Sequence, residues 1–350
     1  MYVLTAENVA DYLKSSGRLH GDETIGAREL AGGVSNLVLL VELPGRNERF
    51  VLKQARSRLR VADEWLCPVQ RIWREVEVLT LCERLVKAGN AGQGTRNQMH
   101  VEASIPGLMW EDRENYAYAM TAAPAEHRTW KQLLLAGEMK SSRELAVACG
   151  ELLATLHAGS WRDEQVATQL DDRDYFERLR IEPYYRWIEK RHIDLIGPIE
   201  GLIESVANHR RCLVHGDFSP KNLLVWPGHV VLIDFEVGHY GDPAFDLGFF
   251  LTHLLLKSLW AQDRGKEYRQ LADGFWQAYR AAMSRKVDEE EVAALEQRML
   301  LNLAGCLLAR VDGKSQVDYL SDEQRGVVRE RARRWLTRPP QSWELVTLVE

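Results

Sequence analysis

The chain has 350 residues, with 45 Lys+Arg against 51 Asp+Glu for a formal charge of −6, and it is 45% hydrophobic and 27% charged. These proportions exclude a mainly disordered chain and leave room for one large domain or two of roughly 100–200 residues. The acidic balance argues against a dedicated nucleic-acid binder, and five cysteines without a C-x-x-C pair or a histidine cluster offer neither a disulfide framework nor a zinc site, so a reducing, cytoplasmic setting is expected.

The first residues lack a basic n-region and a long apolar run, so no signal peptide is expected there. Thr5 as a cap, Glu7 in the first turn, an apolar face of Val9, Tyr12 and Leu13, and Gly17 beyond predict a short helix instead. From residue 28 the pattern changes. Leu37-Val-Leu-Leu-Val-Glu-Leu and Arg49-Phe-Val-Leu-Lys read as two strands of a hairpin turned at Pro44-Gly45, preceded by Gly32-Gly33-Val34-Ser35-Asn36. Arg56, Arg58 and Arg60 form a basic run that could meet a phosphate or simply be solvated, the solvated reading being preferred. Ile72, Val76, Leu79 and Leu85 give a helical face, 100–120 is again strand-like, and Thr121-Ala-Ala-Pro-Ala is a small-residue link. Beyond it helices dominate, with Leu145, Cys149, Leu152, Leu153 and Leu156 on one core-facing side. The apolar stretch at Leu247–Leu256 is too short for the ~20 residues that cross a bilayer, so no membrane partner is expected.

One β insertion, Cys212 to Ile233, interrupts the helices and carries the chemistry. Asp217 and Asn222 lie five residues apart on a loop between apolar runs, and Asp234 follows at the end of the next strand. Such a set places one carboxylate for a reacting hydroxyl, and a carboxylate with an amide oxygen for Mg²⁺, which takes hard oxygen ligands. Each residue alone is as well explained by a turn or a cap. The joint spacing of His215-Gly216-Asp217 and Asn222 arises by chance in only about two in a thousand chains of this length, at roughly one in twenty per position.

His215-Gly-Asp-Phe-Ser-Pro-Lys-Asn222, Ile233-Asp234-Phe-Glu and Gly241-Asp-Pro-Ala-Phe-Asp246-Leu together resemble the aminoglycoside phosphotransferase and choline kinase family. The resemblance extends over most of the chain and implies an α+β, bilobal protein-kinase-like fold: a small antiparallel-sheet lobe, 1–122, that binds ATP, and a larger helical lobe, 123–350, for catalysis and the acceptor. It implies Asp217 as the catalytic base, Asn222 and Asp234 as Mg²⁺ ligands, and Asp246 as a brace for the catalytic loop, a position that a plain N-cap also explains. A kinase of this kind needs a strand lysine and a helix glutamate: Lys53 and Glu75 fit, with Glu77 as the rival on another helix face. Gly33 and Ser35 are expected at the phosphates, although the G-x-G-x-x-G spacing is missing, and the backbone near Ala122-Ala123 is expected at adenine. Glu236 stands where protein kinases have the glycine of D-F-G, and its role is open.

Within the family, the methylthioribose kinase subgroup is similar at Val51-Leu-Lys-Gln-Ala, Asp234-Phe-Glu-Val-Gly-His-Tyr-Gly and Ala304-Gly-Cys-Leu-Leu-Ala-Arg; the paired arginines of the subgroup are reduced here to Arg310 after Ala309. The expected reaction is transfer of the γ-phosphate of Mg-ATP to a hydroxyl of a small sugar, amino alcohol or aminoglycoside-like molecule. The reading from another class is a pseudokinase scaffold, against which Lys53, Asp217, Asn222 and Asp234 are all intact. For the acceptor, the segment 176–187 is dense in recognition side chains. Tyr184, Arg186 and the more distant Arg310 are the candidates, with Arg180, Tyr185 and Asp312 beside them and a core helix as the competing reading. Nothing in the sequence indicates the oligomeric state.

Overall fold

The computed structural model describes residues 1–30, 36–56, 68–91, 101–139 and 142–348. They fall into two compact units, Met1–Glu83 with Ile105–Glu126, and Arg84–Ser104 with His127–Glu350. The sequence places a single division at 122/123, whereas the chain passes between the units at 83/84, 104/105 and 126/127.

The first unit contains helix α1 (Val9–Ser15), strands β1 (Gly26–Glu29), β2 (Asn36–Leu43) and β3 (Glu48–Ala55), and most of helix α2 (Arg71–Ala91). Strand β4 (Glu102–Ser104) belongs to the second unit, and β5 (Leu108–Asp112) and β6 (Ala117–Thr121) return to the first. Its sheet runs β1-β2-β3-β6-β5 with every pair antiparallel. A 3₁₀ turn at Pro44–Arg46 and Asn47 in a left-handed conformation (φ 50°) close the β2–β3 hairpin. Because side chains alternate across a strand, Leu37, Leu39, Val41, Phe50, Leu52, Ala117 and Ala119 share one face and pack with Tyr12 and Leu13 of α1. Lys53, one residue beyond Leu52 and level with Val38 and Tyr118, therefore belongs to the other face, where it meets Glu75 of α2.

In the second unit, β7 (Arg128–Thr129) leads into α3 (Trp130–Ala136), α4 (Ser142–Gly159), α5 (Glu164–Gln169) and α6 (Asp174–Phe176). A ten-residue π-helical stretch, Glu177–Arg186, follows, then α7 (Trp187–Arg191) and α8 (Ile196–Asn208). Pro183, which has no amide hydrogen to donate, lies within that wider winding. The β insertion consists of β8 (Cys212–Val214), β9 (Leu223–Trp226), β10 (His229–Leu232) and β11 (His239–Gly241), and α9 (Ala244–Trp260), α10 (Gly265–Met283), α11 (Glu289–Asp312) and α12 (Asp322–Thr337) complete the unit.

Two small sheets support the insertion, β4-β10-β9-β7 and β11-β8. Strand β4, which the sequence groups with the β-rich first part, pairs in parallel with β10 instead. Beneath them the helices carry the core. The predicted face of α4 is buried throughout, and nearly every residue of α9 from Ala244 to Leu259 is buried. At Gly248, α9 touches α11 so closely that a Cβ there would stand 2.6 Å from the Leu303 amide nitrogen. Among the described residues, α11 is the one helix long and apolar enough to cross a membrane, and 72% of its apolar window is buried inside the fold.

Candidate active site

Strand β8 delivers the chain into His215-Gly216-Asp217. Gly216 has φ +75°, and a Cβ on it would sit 3.0 Å from the Val237 carbonyl oxygen, so the turn requires glycine. The amides of His215 and Gly216 donate to Asp246 Oδ2 and Oδ1 at 2.7 and 2.8 Å. Asp246, fully buried in the first turn of α9, is held in turn by His157 Nε2 at 3.3 Å, and His157 by the Tyr279 hydroxyl at 2.9 Å. Asp246 is thus the brace of the loop. The capping oxygen of α9 belongs to Asp242, which accepts from the Ala244 amide at 3.1 Å and is paired with Arg298 at 2.9 Å.

Asp217 is buried at 3% exposure with three donors on its carboxylate: Arg180 Nη2 on Oδ1 at 2.8 Å, and Lys221 Nζ and Asn222 Nδ2 on Oδ2, both at 2.8 Å. Burial by itself raises its pKa, but the charges of Arg180 and Lys221 outweigh it and hold the carboxyl well below the usual carboxylate range. Arg180 is itself fixed, donating through Nε to the Gly216 carbonyl at 2.6 Å. The Asp217 amide donates to His215 Nδ1 at 3.1 Å, and burial lowers the pKa of His215, so its ring is neutral with the proton on Nε2.

Asn222 is tied to the strand before Asp234, because the Ile233 amide donates to its carbonyl at 3.0 Å. Its side-chain nitrogen is committed to Asp217 O and Oδ2, which turns the amide oxygen, a hard ligand, away from that bond pair. Asp234 adopts φ +75°, a left-handed conformation that costs a non-glycine residue about 1–2 kcal/mol. Among the described residues no group of three or more His, Cys, Asp or Glu side chains forms a metal cage. One amide oxygen and one carboxylate suit Mg²⁺, which keeps several waters and takes its other ligands from phosphate oxygens.

In the first unit, Lys53 Nζ meets Glu75 Oε1 at 2.5 Å, with both side chains buried. Asn36 donates to Glu75 Oε2 at 3.1 Å and accepts from Arg71 at 3.4 Å, so the carboxylate is held from both sides. Glu77 is an exposed partner of Arg74. Gly33 and Ser35 lie outside the described residues, and Ala123 is in the irregular stretch after β6.

The acceptor candidates separate. Arg310 Nη1 donates to the Tyr184 hydroxyl at 3.3 Å and to Ser315, while Tyr184 packs on Phe249, whose ring lies 5.7 Å from the Arg180 guanidinium. Arg186 is bound by Glu189 and surrounded by the charges of Glu182 and Glu200. Tyr185 is a core residue, its hydroxyl donating to Asn302 at 2.8 Å, and Asp312 is held by Arg329 and His192. The residue that the spacing motifs miss is Arg180: it stands 37 positions before Asp217, and nothing in its neighbourhood marks it from Arg178 or Arg186. Lys221 is inside the motif, and its i+4 distance from Asp217 was the available signal.

A model of the phosphotransferase enzyme family (APH) matches residues 26–295. The chain belongs to this family. Methylthioribose kinase of Pectobacterium atrosepticum is 23% identical over 279 residues, 72% of this chain and 65% of that protein, so the chain matches somewhat less than two thirds of the length of such curated relatives. A choline kinase from Cryptosporidium parvum shares the protein-kinase-like fold at TM-score 0.56 and 12% identity, covering 94% of this chain and 95% of that one. An amicoumacin kinase solved with AMP-PNP, Ca²⁺ and Ami does so at TM-score 0.51 and 15% identity, covering 95% and 94%. At these identities the two structures speak for the fold.

Proposed function

We propose that the protein is an ATP-dependent kinase of small molecules, moving the γ-phosphate of Mg-ATP to a hydroxyl. The observation that carries this reading is the ionised, buried Asp217 beside Asn222, on a loop whose amides are clamped by Asp246. The family and the nucleotide analogue in the amicoumacin kinase support ATP as donor.

In the transfer, the acceptor oxygen forms its bond to the γ-phosphorus as the bond to the β–γ bridging oxygen breaks, ADP keeps that electron pair, and the hydroxyl proton passes to Asp217. A carboxylate held at so low a pKa is a weak base. Asp217 therefore acts mainly by orienting the hydroxyl and accepts its proton late, as suits a loose phosphoryl transition state. Asn222 and Asp234 would hold Mg²⁺, which supplies charge neutralisation at the phosphates when bound. In the first unit, Lys53, oriented by Glu75, is assigned to the phosphates and the Ala123 backbone to adenine; the sequence assigns Gly33 and Ser35 to the phosphates as well. Tyr184 and Arg310 are assigned to the acceptor, and Arg186 sits in a carboxylate environment of its own.

The test is ADP release from Mg-ATP over a panel of sugars, amino alcohols and aminoglycosides. A turned-over acceptor, with Asp217→Asn keeping ATP affinity but losing turnover and Asp234→Ala losing productive Mg-ATP binding, is the expected result. Equal and small effects of the two changes would favour the scaffold.

A further inference from the structure

Among the described residues of the second unit, the buried carboxylates Asp217 and Asp242 are paired with Arg180 and Arg298, and Asp246 is hydrogen-bonded to His157. Lys257 and Arg310 are different. Lys257 is 1% exposed, and among the described residues its ammonium donates only to the His253 carbonyl one turn back, at 3.2 Å, with the Tyr319 ring centroid 5.3 Å away. Arg310 donates to Ser315 O and Oγ at 2.6 and 2.9 Å and to the Tyr184 hydroxyl, and its buried Nε has no partner. Neither cation is paired with a carboxylate among the described residues. Two more buried polar atoms nearby, His253 Nε2 and the Tyr319 hydroxyl, are also without a hydrogen bond.

Helical register joins this cluster to the catalytic loop. Phe249, His253 and Lys257 recur at i+4 along α9, and the Phe249 ring touches His253 edge-on at 5.1 Å, packs on Tyr184 at 5.6 Å and carries Arg180 above it. Arg180 in turn grips Asp217. Burial, then repulsion from Lys131 and Arg310, push the Lys257 ammonium down to about 7. A buried ammonium without a carboxylate is costly, and here a second, half-buried cation, Arg310, stands near it; proteins ordinarily pair such charges or let a ligand do so.

We propose that the acceptor carries an oxyanion, a carboxylate or a phosphate ester, which Lys257, Arg310, His253 and the Tyr319 hydroxyl seat while its hydroxyl lies at Asp217. The inference rests on the kinase reading above and narrows its substrate class. A cationic acceptor would meet Arg310 and the protonated form of Lys257 there, which selects against it, whereas an oxyanion favours that protonated form. Arg310 offers a fixed fork and Lys257 a point charge, the usual pair for an oxyanion.

Two arms test it. In the first, the nucleotide-free protein is titrated calorimetrically with inorganic phosphate, glycerate and glycerol. Binding of phosphate or glycerate but not glycerol is expected, weakened at least tenfold by Lys257→Met and recovered in Lys257→Arg. Circular dichroism checks that both variants fold, and Arg310→Met repeats the measurement independently. In the second, initial rates with Mg-ATP compare gluconate with sorbitol, ribose 5-phosphate with ribose, and both with choline and kanamycin. The charged member of a pair should exceed its neutral partner at least tenfold in kcat/KM, and the pair that does so tells carboxylate from phosphate. Lys257→Met and Arg310→Met should raise the KM of that acceptor tenfold or more and that of ATP by less than twofold. Preference for neutral or cationic acceptors, or a rise confined to the ATP KM, overturns the inference while leaving a kinase. Anion binding that is lost in Lys257→Met, with no acceptor phosphorylated and no ATP bound, upholds the anion site and removes the kinase reading instead.

Discussion

At Asp217, burial and charge pull in opposite directions, and charge wins. Arg180 and Lys221 each stand 2.8 Å from the carboxylate, which keeps it ionised despite a nearly complete loss of solvent. Two predictions follow from that balance. Asp217→Asn should lower kcat by about two to four orders of magnitude while isothermal titration shows ATP affinity retained, because the proposed proton acceptor is lost and the proposed metal ligands are not. Arg180→Met removes the largest charge holding the carboxyl down, so its pKa rises. The proposed mechanism requires the ionised form, so the acid limb of the kcat/KM profile should move upward in pH from wild type to variant. A profile that keeps the same acid limb would show that Arg180 does not govern this group. Of the two cations, Lys221 was visible within the motif, but Arg180 was one arginine among several in a polar segment. Its role depends on a π-helical winding that no propensity scale marks.

Elements determine which of the candidate residues reach the chemistry. Strand alternation sends Lys53 to the α2 side of its sheet, and helix spacing brings Glu75 rather than Glu77 to meet it. Glu75→Gln removes the carboxylate charge that meets the buried Lys53 ammonium. It should destabilise the protein by about 3 kcal/mol in urea unfolding and raise the ATP KM. Gly216 and Asp246 make the corresponding device in the second unit. Gly216→Ala strains a left-handed residue against the Val237 carbonyl, so a loss of about 1–3 kcal/mol of stability and a fall in kcat are expected together. The hairpin, α2, α4 and the strands on either side of His215 were all legible in the sequence because each buries a face at its own period. Strand β11 was not, and neither was the pairing of β4: three-residue segments carry too little pattern, and their partners are remote in the chain.

For the whole molecule, nucleotide binding should appear as stability. Mg-ATP at about a hundred times its Kd adds about 2.7 kcal/mol to the folded state, a rise of roughly 3–4 °C in Tm for a chain of this size, and Asp234→Ala should lose the part that depends on Mg²⁺. An unchanged Tm at saturating Mg-ATP would contradict nucleotide binding. Taken alone, the sequence determined the family and picked out the His215-Gly216-Asp217 loop, Asn222, Asp234 and the Lys53–Glu75 partnership, since each is written in residue type at short spacing or at the end of a strand with a strong local pattern. The division into units, the Arg180 grip on Asp217, the Asp246 clamp completed by His157, and the cations Lys257 and Arg310, without a carboxylate partner among the described residues, were decided only by the tertiary structure. Those features bring together residues separated by tens of positions, and whether a charge is buried or partnered is a property of the packed environment, which linear spacing does not record.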